Sequence, residues 1–75
     1  MKRLIVFTGT NCKSCHSFIA KLRKHNIPFT EISTNSIDGA AMAAKWKVRS
    51  LPTSLIGGTT YPGDMPINKI MEKIK

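Results

Sequence analysis

The chain has 75 residues, a length that supports one small domain with a thin core. Twelve lysines and arginines against four acidic residues give it a formal net charge of +8 at pH 7. These basic residues are scattered along the chain, and no apolar run approaches the roughly 18–20 residues of a membrane-spanning helix. We therefore expect neither a membrane protein nor a nucleic-acid-binding protein, and an acidic protein partner suits the charge better.

The first two predicted elements are a strand and a helix. Residues 4–7 form a continuous apolar run rich in β-branched side chains, which is typical of a central strand buried on both faces. Apolar residues then recur at helical spacing with basic residues on the opposite face, so we predict an amphipathic helix from about Cys12 to Lys24. Asn11 is the predicted N-cap, which makes Cys12 the first helical residue, and Asn26 follows the end of the helix.

The next two predicted elements are a short strand and a second helix. Residues 29–33 include two apolar side chains and precede polar turn residues, which is typical of a strand at a sheet edge. Ser36 is a good N-cap for a helix that runs to Trp46 through a series of small residues. Large aromatic side chains are mostly buried, so we expect Trp46 in the core or at its rim rather than in a binding site.

A hairpin and a last helix complete the predicted fold. Two short strands within residues 54–61 flank Gly57-Gly58, which is the pattern of a two-residue β-hairpin loop. An apolar stripe at helical spacing then predicts a helix that begins at Pro66, with Asp64 or Met65 as its cap. The order β-α-β-α-β-β-α predicts an α/β fold in which helices cover a four-stranded mixed sheet.

Both cysteines of the chain lie at the start of the first predicted helix, in the sequence Cys12-Lys13-Ser14-Cys15. A thiol at a helix N-terminus faces unpaired N–H groups and the positive end of the helix dipole, which lower the pKa of the thiol, and Lys13 adds positive charge. Cys15 returns to the same side one turn later, within the ~4.4–6.8 Å Cα separation of a disulfide. We predict a redox dithiol in which Cys12 attacks, Cys15 resolves, and Asn11 and Lys13 stabilise the thiolate.

Three other interpretations of the cysteine pair remain open. With His16 the motif matches the C-x-x-C-H pattern of c-type haem attachment, although haem attachment belongs with export and the sequence shows no signal peptide. A zinc site would need both His16 and His25, which lie ~13 Å apart along the predicted helix and cannot both join the cysteines. The third interpretation is a pair of inert, buried thiols. A redox dithiol is favoured because C-x-x-C beside a βαβ pattern is typical of thioredoxin-like proteins.

The element order, the C-x-x-C pair at the start of the first helix and Leu51-Pro52-Thr53 at the opening of the third strand resemble the thioredoxin fold in its minimal, glutaredoxin-sized form. The resemblance covers residues 1–75 as a single domain. It implies that Pro52 is cis and lies beside the dithiol, and that the backbone of Leu51 binds an extended substrate segment.

Residues 61–66, Tyr-Pro-Gly-Asp-Met-Pro, are similar to the W-S-G-F-R-P stretch of NrdH-redoxins, small glutaredoxin-shaped proteins that thioredoxin reductase reduces. This likeness implies that Tyr61 and Gly63 lie at the rim of the substrate groove. Glutaredoxins have a lysine shortly before the motif that holds glutathione, whereas this chain has Gly9 and Thr10 there.

The resemblance implies a monomeric thiol–disulfide oxidoreductase that reduces protein disulfides without a metal or organic cofactor. Thioredoxin reductase is the implied electron donor and ribonucleotide reductase an implied target, with a glutathione-dependent glutaredoxin as the alternative. A c-type cytochrome and a basic binding module are more remote alternatives. One closely spaced cysteine pair with no export signal predicts a cytoplasmic location.

Overall fold

A computed structural model describes all residues from 1 to 75 as four strands and three helices. In chain order they are β1 (Leu4–Thr8), α1 (Lys13–Lys24), β2 (Thr30–Ser33), α2 (Ile37–Lys45), β3 (Thr53–Ile56), β4 (Thr59–Pro62) and α3 (Ile67–Ile74). This order confirms the predicted α/β fold. None of the three helices combines the length and the apolar composition that crossing a membrane requires.

The sheet has the strand order β2-β1-β3-β4. Strand β1 runs parallel to β2 and antiparallel to β3, and β3 runs antiparallel to β4. The continuous apolar run in β1 is therefore in the middle of the sheet, and the more polar β2 is at its edge, as predicted. Because Phe7 pairs with Thr53, the chain that continues β1 lies beside the chain that precedes β3.

The core is divided between the two faces of the sheet. Successive side chains of a strand point to opposite faces, so neighbours in β1 contribute to different clusters. Helices α1 and α3 cover the larger cluster, which comprises Leu4, Val6, Phe18, Ile19, Leu22, Ile27, Ile56, Met65, Ile70 and Ile74. Helix α2 covers the smaller cluster, which comprises Phe7, Ala43 and Leu55 with the half-buried Trp46 packed against it. Trp46 is thus at the rim of the core, as expected.

The predicted cap of α1 is wrong by one residue. Cys12, not Asn11, is the N-cap, and its Sγ accepts a hydrogen bond from the backbone N–H of Cys15 at 3.2 Å. Asn11 has a φ of 59°, a left-handed conformation that asparagine adopts more readily than most residues, so it forms the turn before the cap. Lys13 is consequently the first residue of the helix.

The predicted cap of α3 is also wrong. Pro66 is itself the N-cap, with no side-chain hydrogen bond, rather than the first helical residue. Asp64 lies two residues before this cap, and its carboxylate accepts a hydrogen bond from Lys21 of α1 at 2.5 Å. Met65 is buried in the larger cluster. By contrast, Ser36 caps α2 as predicted, accepting from the backbone N–H of Gly39 at 2.9 Å.

Basic side chains gather at the end of the sheet where β1 begins. Helix α1 returns the chain to this end before the parallel strand β2, and its last turn includes Arg23 and Lys24. The backbone N–H of Lys2 donates to the carbonyl of Ile74 at 2.7 Å, which brings Lys2 and the C-terminal turn of α3, with Lys73, to the same end. Cations are favoured near helix C-termini because of the helix dipole. We call this the basic end of the sheet.

Candidate active site

Four chain segments meet at the opposite end of the sheet, where β1 finishes. They are residues 9–12 after β1, residues 34–36 after β2, residues 50–52 before β3 and residues 63–66 after β4. Each of the three helices begins directly after one of these segments, so all three helix N-termini are at this end of the sheet. We call it the dithiol end, because the first segment contains Cys12.

Hydrogen bonds connect these segments to one another. Both the backbone N–H and the hydroxyl of Thr34 donate to the carbonyl of Thr8, at 2.8 and 2.9 Å. The side-chain amide of Asn35 donates to the hydroxyl of Thr10, two residues before Cys12. The loop that carries Cys12 is therefore fixed to the end of β2 by side chains as well as by the sheet.

Cys12 and Cys15 form a disulfide with a Cα–Cα distance of 5.2 Å, within the range that the predicted spacing implied. No other cysteine is present. Cys15 is completely buried, whereas Cys12 at the N-cap is partly exposed. Of the two cysteines, only Cys12 is exposed to solvent, and the sulfur of Cys15 is accessible only to Cys12.

The electrostatic surroundings of Cys12 favour a negative charge on its sulfur. The first turn of α1 contains no acidic residue, and the Cys12 sulfur accepts a backbone N–H at 3.2 Å. A thiolate in this position gains that hydrogen bond and the positive end of the helix dipole. Lys13 is exposed to solvent, where its charge acts only weakly. Asn11 does not contribute as the predicted cap, since its place is taken by Cys12.

The peptide bond between Leu51 and Pro52 is cis, as the resemblance implied. A Cβ on Gly9 would stand only 2.7 Å from Cδ1 of Leu51, which shows how closely the Leu51 side chain approaches the backbone before the dithiol. The carbonyl of Pro52 accepts a hydrogen bond from the backbone N–H of Gly63 at 2.8 Å. Three residues predicted to bind substrate, Leu51, Pro52 and Gly63, thus lie together at the dithiol end.

The position of Tyr61 gives less support to its predicted role. Its half-buried ring packs against the larger cluster, and the Lys73 ammonium lies 5.7 Å from the ring centroid. These contacts hold the ring against the larger cluster and near the last turn of α3. The assignment of Tyr61 to the groove rim stays a prediction.

A cavity of about 380 Å³ lies beside Leu51, between α2 and the segment that precedes Pro52. Small apolar side chains of α2 form one wall, and Arg49 adds a positive charge to the other. The complete lining is Thr34, Ala40, Ala43, Ala44, Val48, Arg49, Ser50 and Leu51. An apolar side chain of a bound peptide segment fits a cavity of this size and composition.

Lys21 is a residue of the site that the sequence analysis missed. Its ammonium donates to the carboxylate of Asp64 at 2.5 Å and to the carbonyl of Met65 at 2.7 Å, and it lies 5.3 Å from the centroid of the Phe18 ring. These contacts connect α1 to the segment that contains Gly63. No local pattern could have revealed a pair of residues 43 positions apart in the chain.

The structure brings together no group of three or more histidine, cysteine or acidic side chains that could hold a metal ion. His16 lies on the exposed side of α1, and His25 is at the far end of that helix as its C-cap. The zinc interpretation therefore gains no ligand set from the fold.

No family model and no curated protein matches this sequence. The fold, however, matches solved structures. NrdH-redoxin from Escherichia coli, described as a glutaredoxin-like protein with a thioredoxin-like activity profile, has a TM-score of 0.73 at 23% identity and covers 92% of this chain and 92% of its own. A glutaredoxin from Archaeoglobus fulgidus has a TM-score of 0.73 at 17% identity, covering 100% of this chain and 88% of its own.

A crystallised thioredoxin-like protein has a TM-score of 0.74 at 22% identity and covers 93% of this chain and 97% of its own. At these identities the similarity concerns the backbone. The chain has the thioredoxin fold, which confirms the resemblance at the level of the fold.

Proposed function

We propose that this protein is a thiol–disulfide oxidoreductase that reduces protein disulfides through Cys12 and Cys15. The observation that carries the proposal is the unequal exposure of the two cysteine residues, one partly exposed at a helix N-cap and one completely buried a turn later. An exposed cysteine can form a mixed disulfide with another molecule. A buried neighbouring cysteine can then attack that mixed disulfide within the same protein and release the other molecule. The thioredoxin fold around the pair supports the same role.

The reaction consists of two exchanges. The Cys12 thiolate attacks one sulfur of the target disulfide, the other target sulfur leaves with the bonding electrons and takes a proton, and a mixed disulfide forms. Cys15 then loses its proton and attacks the Cys12 sulfur, which releases the second target sulfur as a thiolate that is protonated in turn. Two electrons pass to the target, and the protein is left with the Cys12–Cys15 disulfide seen in the structure.

The residues around the dithiol suit an extended substrate segment. Leu51 and Pro52 present their backbone beside the loop of Cys12, and the cavity next to α2 can take a side chain of the segment. Gly63 is joined to Pro52 by a backbone hydrogen bond, and its φ of 86° is a conformation that favours glycine. Because glycine has no side chain, nothing narrows the groove beside Pro52. We assign substrate binding to Leu51, Pro52 and Gly63 on this basis.

Thioredoxin reductase is the electron donor that this proposal favours over glutathione. The likeness of residues 61–66 to NrdH-redoxins supports it, as does the fold shared with a protein that has a thioredoxin-like activity profile. Gly9 and Thr10 offer no cation for a glutathione carboxylate ahead of Cys12. The likeness further suggests ribonucleotide reductase among the targets, and a single closely spaced dithiol suits the reducing cytoplasm.

The test is the reduction of insulin disulfides by the purified protein under two donor systems. One contains NADPH with thioredoxin reductase, and the other contains NADPH with glutathione and glutathione reductase. We expect turnover with both well above that of a matched Cys12→Ser protein, and faster with thioredoxin reductase. Faster turnover with glutathione would make the protein a glutaredoxin, and turnover equal to that of Cys12→Ser in both systems would refute the function.

A further inference from the structure

Ser54 has the only side-chain oxygen or nitrogen atom in the chain that is buried without a hydrogen-bond partner. The residue is completely inaccessible to solvent and is the second residue of β3. A buried hydroxyl that makes no hydrogen bond destabilises a fold, because it has lost its bonds to water without replacement. An orphaned hydroxyl in the central region of a sheet therefore requires an explanation, and a partner that another redox state supplies is one.

The register of the sheet determines which face Ser54 occupies. Ser54 pairs with Val6 of β1 and with Tyr61 of β4. Directly paired residues of antiparallel strands point to the same face, and Val6 belongs to the larger cluster. The hydroxyl of Ser54 is therefore on the face that α1 and α3 cover. It lies in the half of the sheet nearer the dithiol end, since it is the second residue of β3 and pairs with the middle residue of β1.

Cys15 faces the same part of the molecule from the helix above. It precedes Phe18 and Ile19 by three and four residues, and both of these pack in the larger cluster. Residues at this spacing share one face of a helix, so Cys15 also points to the sheet, in agreement with its complete burial. It lies in the first turn of α1, which is at the dithiol end. Ser54 on β3 and Cys15 on α1 thus both face the buried layer between the sheet and α1, in the half nearer the dithiol end.

Reduction changes what Cys15 offers to its neighbours. In the disulfide its sulfur is bonded to Cys12 and is a poor hydrogen-bond acceptor. In the reduced protein its sulfur no longer has that bond and can accept a hydrogen bond, weakly as a thiol and strongly as the thiolate that forms when Cys15 attacks. Among the residues of the larger cluster and those packed on it, only Tyr61 has a side-chain donor, and its ring lies 5.7 Å from the ammonium of Lys73, a residue of the last turn of α3.

We propose that Ser54 is a positioning residue for Cys15, whose hydroxyl donates a hydrogen bond to the Cys15 sulfur in the reduced protein and has no partner in the oxidised one. This inference rests on the proposed function. The hydrogen bond stabilises the dithiol relative to the disulfide, and the unpaired hydroxyl destabilises the disulfide. Ser54 thereby raises the reduction potential of the pair.

Ser54 keeps its own proton throughout the resolving step. Cys15 gives up its proton as a lone pair of its sulfur forms the new bond to Cys12, and this loss is balanced by the proton that the departing target sulfur takes up. The bond between Cys12 and the target sulfur breaks, and that sulfur leaves with the electron pair and takes up a proton. As the new bond forms, the hydrogen bond from Ser54 is lost.

The experiment measures the equilibrium between dithiol and disulfide in glutathione redox buffers for a matched pair of variants. Ser54→Thr and Ser54→Val have nearly the same shape, but only the first retains a hydroxyl. We expect Ser54→Val to favour the disulfide about tenfold more than wild type, which corresponds to a reduction potential about 30 mV more negative. For Ser54→Thr we expect an equilibrium constant within about twofold of the wild-type value. Ile56→Val, on the same strand and face, serves as a packing control with no shift.

Equal shifts in Ser54→Thr and Ser54→Val, or no shift in Ser54→Val, would overturn the inference. Ser54→Ala gives a second measurement if the larger side chains prevent folding, with thermal unfolding recorded in both redox states. We expect Ser54→Ala to favour the oxidised form over the reduced form, whereas a merely structural serine would change the stability of both forms equally.

The redox-buffer measurement needs no protein target and is independent of the insulin assay. A wild-type protein that fails to reduce insulin would remove the proposed function and leave the role of Ser54 to be judged from the equilibrium alone. A protein that reduces insulin normally but shows no shift in Ser54→Val would remove only the role of Ser54.

Discussion

Helices α1 and α2 both begin at the dithiol end of the sheet and are capped in the same way by different atoms. In α2 the hydroxyl of Ser36 accepts the backbone N–H of Gly39 at 2.9 Å, and in α1 the sulfur of Cys12 accepts the backbone N–H of Cys15 at 3.2 Å. Each cap satisfies the N–H group three residues further on. The difference lies in what the capping atom does next, because the oxygen stays where it is and the sulfur changes its bonding when the protein is oxidised or reduced.

In α1, therefore, the atom that caps the helix is also the proposed nucleophile, the sulfur of Cys12. The hydrogen bond that stabilises the helix is the one that stabilises a thiolate. Four experiments test how far the two caps differ, beginning with the largest expected effect.

The largest effect is expected when the cap of α1 is made chemically equal to that of α2. Cys12→Ser retains an acceptor for the N–H of Cys15 but has no attacking sulfur, so insulin reduction should fall to the uncatalysed rate while the fold persists. Circular dichroism measures the fold against the reduced wild-type protein.

The matching variant is Cys15→Ser, which should accumulate stable mixed disulfides through Cys12. Mass spectrometry detects these mixed disulfides. Their accumulation in Cys12→Ser instead would show that the roles of the two cysteines are exchanged.

The second experiment compares the two thiols of the reduced protein. At pH 6 we expect iodoacetamide to modify Cys12 at least ~10-fold faster than Cys15, because Cys12 is partly exposed at the helix N-cap, where a thiolate is stabilised, and Cys15 is buried. Peptide mass spectrometry gives both rates in one sample. The same reaction in denaturant is the control and should remove the difference, and equal rates in the folded protein would contradict the assigned roles.

The third experiment removes the cap of α2. Ser36→Ala should lower the free energy of unfolding by about 1 kcal/mol, or about fivefold in the folding equilibrium, with insulin reduction unchanged. Urea titration measures the loss. Ser36→Asp restores an acceptor and should recover most of the stability, so a similar loss in Ser36→Asp would show that the side-chain cap is not the cause.

The smallest effect is expected at Lys21, which connects α1 to the segment after β4. Lys21→Met keeps most of the aliphatic stem and removes the hydrogen bonds to Asp64 and Met65. We expect the KM for insulin to rise about threefold with kcat unchanged, because the edge of the groove at Gly63 becomes less well fixed, and the stability to change by less than about 1 kcal/mol. Lys24→Met has the same change of charge on an exposed part of α1 and should leave KM unaltered.

The sequence predicted those features that depend on neighbours along the chain. Hydrophobic periodicity located the strands and helices to within a residue or two, and the hairpin follows from Gly57 and Gly58, which both adopt positive φ values of 56° and 80°. The disulfide follows from a spacing of three residues at a helix start. Each of these depends on local geometry that a short segment determines by itself.

The sequence did not predict the features that depend on competition or on distant contacts. Asparagine is a better intrinsic N-cap than cysteine, yet the turn after β1 places Asn11 in a left-handed conformation, and the cap moves to Cys12. Asp64 looked free to cap α3 because its partner Lys21 is on another helix. The burial of Ser54 likewise depends on strands and helices that cover it from elsewhere in the chain.

The basic end and the dithiol end lie at opposite ends of the strands. Arg23, Lys24 and Lys73 belong to the first, and Cys12 belongs to the second, where Lys13 and Arg49 also contribute positive charge. An acidic protein can therefore be attracted to either end. A partner bound at the basic end leaves Cys12 uncovered, so binding by charge at that end does not obstruct thiol–disulfide exchange.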